Sequence, residues 1–241
     1  MTVRIVPGEI AAKDTTARVV LPTVALPKFA PYERVAETIA LPARRLPMHK
    51  HQASEVFTYV IEGSGTYEVA GSPIEPIGAG DARLLSAPSI ASHAISPEKG
   101  HSIRYFAVVA NLAANDAATV KVQSSRASES GPQADGTAVT RLVGPTGPLR
   151  SSAGLECDAL RFVNDGTSFR RVGHGTIALC YALAGRAHID NETIEGGEAA
   201  VIANAAGVAI QGEPGFRAMI LRTPGTAGPA ASPVLGARAP G

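Results

Sequence analysis

The stretch HKHQASEVFTYVIEG, from His49 to Gly63, decides how this chain is read. Its second half, Val56 to Ile61, is rich in β-branched and aromatic residues and runs into a glycine, the pattern of a strand bounded by a turn. Its first half carries two histidines two positions apart. On a strand, residues i and i+2 project from one face, so His49 and His51 aim their imidazoles at one point. Neutral imidazole ligates iron, zinc, copper or nickel, and His93, beyond the Gly80-Asp81 turn, is a third such group that a distant strand can bring in. Glu55 follows His51 by four residues, which an unbroken strand places on the same face. Spacing alone leaves two readings open, a metal site and a chance pair on a half-exposed strand.

Outward from this stretch, similar segments recur: Gly65 to Ala70, Ala82 to Ser86, Ser102 to Ala110, Ile177 to Leu183, Ala187 to Ile189 and Ala199 to Ala203. Each is short and punctuated by Gly, Pro, Asn or Asp, and helix signals are few. This predicts an all-β protein of sandwich or barrel type. The polar run SSRASESGPQADG has too little apolar surface to form a core, so residues 121–137 are expected to link a first domain, 1–120, to a second, 138–241. The stretch from Thr223 onward, TPGTAGPAASPVLGARAPG, reads as a low-complexity tail.

The halves echo one another. YVIEGSGTYE from Tyr59 matches YALAGRAHID from Tyr181, and GDARLL from Gly80 matches GEAAVI from Gly197. Each unit reads as strand, glycine turn, strand, glycine turn, strand. Extending the match places Arg171 and Gly173 opposite His49 and His51, and Ile210 opposite His93. His174 falls one residue out of register, aimed at the other face. Two copies of one fold, with only the first keeping the histidines, speak against chance.

Composition narrows the classes. The 241 residues are 45% hydrophobic and 18% charged, with a formal net charge of +1, so no bias toward nucleic acid or an anionic membrane exists. Arg44, Arg45 and Lys50 read as a solvated rim. No apolar run is long enough to span a bilayer and the N-terminus lacks the apolar core of a secretory signal, so a cytoplasmic protein is expected, without a membrane or nucleic-acid partner. Cys157 and Cys180 are expected to be reduced core thiols. No G-x-S-x-G elbow or phosphate-binding glycine loop is present. His101, His174 and His188 are expected to be exposed or structural.

The quoted motif, with GAGDARLLSAPSIASHAISP from Gly78 to Pro97 and RYFAVVANL from Arg104, resembles the cupin superfamily and, within it, the pirin family of two-domain cupins. The resemblance covers most of the chain outside the linker and tail, more weakly in the second half. It implies a bicupin: two β-barrels of the double-stranded β-helix or jelly-roll type packed face to face, with a divalent metal in the first. Iron is the expected ion, with nickel, zinc, manganese or copper as alternatives. The family's three histidine ligands carry over onto His49, His51 and His93. Its glutamate ligand does not, because Ile95 stands at that position.

Glu55, where many other cupins place a carboxylate ligand, is the candidate replacement, either coordinating directly or orienting a ligating histidine. It is also the candidate general base for the quercetin 2,3-dioxygenase-like activity that the resemblance implies, in which a metal holds a flavonol and dioxygen cleaves it. The plain alternative makes Glu55 an ion-pair partner of Arg83 or Lys50. The competing functions are a non-enzymatic redox or regulatory protein with a protein partner, and a cupin that has lost its metal with the glutamate.

Overall fold

The computed structural model describes residues 1–13, 16–20, 32–42, 47–112, 119–126, 131–173, 176–203 and 205–222. Strands are the only regular elements among them. Two barrels form, and three apolar clusters fill them: one inside each barrel and one between.

The Ser54–Val69 strand shows how one segment serves two cores. Val56 and Val60 point into the first barrel, while Phe57 and Ile61 join the inter-barrel cluster with Phe106, Tyr181 and Leu221. Both faces are therefore apolar, which is why this run shows little alternation. Near its middle the register against the Ile103–Asn111 strand shifts by one residue. Gly63 follows at φ +84°, where a Cβ would lie 2.2 Å from the Ser102 carbonyl oxygen, so only glycine fits. Beyond the bulge the parity is reversed, and Tyr67 and Val69 now face the barrel interior.

In the first barrel, the sheet runs Lys121–Arg126, Asp81–Ala87, Ser54–Val69, Ile103–Asn111, Tyr32–Ala40, Thr16–Val20, Glu9–Lys13. Facing it, His49–His51 pairs with Ala91–Pro97, which in turn pairs with the far half of Ser54–Val69. The second barrel has a six-stranded sheet, ordered Thr2–Pro7, Glu198–Ala203, Ala178–Ala184, Arg217–Arg222, Glu156–Phe162, Thr137–Val143, and a four-stranded one. Ring stacking of Phe106 on Tyr181, centroids 5.4 Å apart, and a hydrogen bond from the Tyr181 hydroxyl to Glu37 (2.9 Å) join the halves. Arg104 adds an ion pair to Glu37 and donates to the Leu183 carbonyl.

The domain limits read from composition need two corrections. Thr2–Pro7 pairs with Glu198–Ala203, so the first strand belongs to the second barrel. Lys121–Arg126, expected as linker, pairs along its whole length with Asp81–Ala87. A sheet edge presents a row of unpaired backbone N–H and C=O groups, and pairing with them outweighs a composition poor in apolar residues. Arg44, Arg45, linker residues 127–130, His174 and the tail from Thr223 lie outside the described residues. Cys157 and Cys180 are buried free thiols as expected, and burial pushes the Cys180 thiol up to about 12.

Candidate metal centre

His49 and His93 are direct cross-strand partners. With His51, two positions along, they form a triad whose ring centroids are 4.3 to 5.1 Å apart. One nitrogen of each lies within 4.8 Å of the others, so the three donors surround a common point. His49 is exposed, His51 half-buried and His93 only 2% exposed. The cluster sits where the barrel interior opens to solvent.

Three nitrogens there have no hydrogen-bond partner: Nε2 of His51 and both ring nitrogens of His93. Leaving a buried polar atom unpaired costs about 1–3 kcal/mol, and such atoms are uncommon unless something else engages them. A divalent metal ion is the group that three converging imidazoles fit. Burial keeps His51 and His93 neutral. It pulls His93 down to about 3, with the charges of His49 and His51 adding, and His51 down to about 4, with His49 and Arg34 adding.

These depressed values carry a consequence for the metal-free protein. In the unfolded chain both imidazoles titrate near 6.5. Below that pH the unfolded state takes up protons that the folded state refuses, so stability falls as pH drops from about 6.5 toward 3 to 4. The slope is at most about 1.4 kcal/mol per pH unit for each histidine. His93 carries more of it because His51 is partly hydrated. Urea denaturation of metal-free protein between pH 7 and 4.5 is expected to show this loss, reduced in a His93→Leu variant.

Glu55 is not part of the cluster. Its carboxylate accepts hydrogen bonds from the hydroxyls of Ser86 (2.7 Å) and Ser151 (2.5 Å) and from the backbone amides of Ser152 (3.0 Å) and Ala153 (3.2 Å). It is 1% exposed and ties the first barrel to the segment before Glu156–Phe162 of the second. The expectation of a ligand or base fails at Ala53, whose φ of +50° breaks the strand between His51 and Ser54. The chain passes there from one sheet to the other and alternation restarts. Arg83 does not pair with Glu55 either; it pairs with Glu75 at 3.4 Å. Lys50 is exposed. His101 and His188 are exposed and stand outside the triad.

Behind the triad lies a cavity of about 50 Å³. Cross-strand rows build its wall: Arg34, Val109 and Val56 in one, then Ala36, Ala107 and Thr58. Two alanines opposite Thr58 leave the space. Ile95, 2% exposed, lines it below His93, in the position where the pirin pattern has glutamate. Of the described residues lining this cavity, none carries a carboxylate. The Thr58 hydroxyl, buried and facing inward, has no partner. Arg34 and Thr58 escaped the reading of the sequence, although alternation from Val56 marks Thr58 as inward-facing.

No family model matches the sequence, and no curated protein does. Solved structures do. A bacterial pirin from Escherichia coli, in complex with nickel(II), superposes with a TM-score of 0.81 at 14% identity, over 92% of this chain and 99% of that one. A quercetin 2,3-dioxygenase from Acinetobacter baumannii gives 0.79 at 17% identity, over 92% and 78%. The coconut allergen cocosin gives 0.69 at 11% identity, over 91% and 84%. At such identities the likeness establishes the pirin-type bicupin fold, which proteins of different kinds share.

Proposed function

We propose that this chain, a two-barrel protein with the pirin-type fold, holds a divalent metal on His49, His51 and His93 and acts as a dioxygenase of quercetinase type. Its substrate is an aromatic compound bearing an enol or phenol. The observation that carries this reading is the converging triad of imidazoles, with partnerless buried nitrogens on His51 and His93, at the mouth of a small cavity. A bound metal of this kind supplies Lewis acidity and a path for electrons between substrate and dioxygen. His49, His51 and His93 would hold it. Val56, Ile95 and Val109 would keep water from the reacting edge, and the cavity's size admits that edge alone, with the rest of a flavonol at the mouth.

The lack of a carboxylate in the described lining favours a second reading, a metal-binding redox or regulatory protein that turns nothing over. Anaerobic loading with iron(II), metal analysis, then quercetin and dioxygen separate the two. Coupled loss of quercetin and dioxygen is expected. Metal retained without turnover favours the second reading, and failure to retain metal overturns both.

A further inference from the structure

We infer that the cavity selects its ligand as a preformed oxygen anion, an ionised enol or phenol, with Arg34 as the residue that receives the charge and Thr58 as a hydrogen-bond partner. The inference rests on the metal-centre reading above. Deprotonation of a neutral substrate inside the site would need a base, and Glu55, the candidate for that role, has its carboxylate turned to the other face and shared among four donors. The proton must therefore leave to solvent before or as the oxygen docks.

Arg34 is placed to make that favourable. It lines the cavity from the Tyr32–Ala40 strand, exposed at the mouth and directly across from Val109. No carboxylate among the described residues lies within ion-pair distance of it. Guanidinium is always protonated and presents planar paired donors, which suits an enolate or a carboxylate. The other titratable groups facing the cavity are His49, His51 and His93 from the opposite sheet, and Tyr105 from the central strand Ile103–Asn111. None offers a negative charge to repel the ligand. Thr58 supplies an independent sign: its hydroxyl, 1% exposed, is aimed inward and unpaired, so a ligand oxygen entering the cavity finds a donor waiting.

The test uses nickel(II)-loaded full-length protein and 4-nitrocatechol, whose colour reports its ionisation. Wild type is expected to bind the ionised probe and to ignore its dimethyl ether, which cannot ionise. Arg34→Gln is expected to weaken binding about 10- to 100-fold at unchanged nickel content, with Arg34→Lys recovering part. Thr58→Val is expected to lose a smaller factor. With unsubstituted catechol, a weaker acid, the pH at which binding sets in should move upward with the probe's own ionisation. Equal binding by Arg34→Gln, equal binding of the ether, or a pH profile indifferent to the probe overturns the inference while the metal reading stands. Wild-type protein that retains no nickel overturns both.

Discussion

Replacing His93 by alanine is expected to remove metal binding, weakening it at least 100-fold, while the metal-free protein stays folded. His93 is the anchor of the triad: it is the buried member, it pairs across the strands with His49, and its ring lies 4.3 Å from that of His49 and 5.1 Å from that of His51. Losing partners that merely orient metal ligands costs about 10- to 100-fold, so losing a ligand itself costs more. The cost to the fold is smaller than for an ordinary core residue. Truncating a large buried side chain to alanine costs about 2–5 kcal/mol, but here it also removes two buried nitrogens without partners, a gain of about 1–3 kcal/mol. Metal content after loading, read beside a denaturation curve, checks both parts. Unchanged metal content would end the ligand assignment.

Glu55→Ala is expected to do the reverse: a loss in stability of about 1–3 kcal/mol for each buried donor left without an acceptor, with the metal site intact in whatever folds. Two hydroxyls and two backbone amides lose their shared acceptor at once, at a point where the second barrel's Ser151–Ala153 segment docks against the first. Glu55→Gln keeps the shape and part of the acceptor capacity, so it should unfold at an intermediate denaturant concentration and hold metal as wild type does. Metal loss in the folded glutamine variant would restore Glu55 as a ligand. A stability within about 1 kcal/mol of wild type for the alanine variant would show that the four hydrogen bonds count for little.

The contrast between these two residues shows what the sequence could reveal. His49 and His51 sit on one short strand, so period-two reasoning applied, and the resemblance to the pirin motif supplied His93 as their partner. Glu55 lies past Ala53, whose positive φ no residue type announces; alanine there gives no warning, where glycine would have. Strand positions were legible because turns and β-branched runs mark them. Sheet membership at Thr2–Pro7 and Lys121–Arg126 was not, since an edge strand needs only backbone partners and its side chains carry little signal. Arg34 escaped because its neighbour across the sheet is Val109, about 75 residues away, and cross-strand distance is invisible until register is known.

The pairing of Thr2–Pro7 with Glu198–Ala203 has a bearing on how the chain comes into being. During synthesis these six residues leave the ribosome about 190 residues ahead of the strand that receives them, and the first barrel must assemble while they wait unpaired. An edge of the second barrel's six-stranded sheet is thus completed by a segment made long before the strand it pairs with. A ribosome stalled before Ala203 would hold a nascent protein with a complete histidine triad but an exposed strand edge, open to pairing with a neighbouring chain.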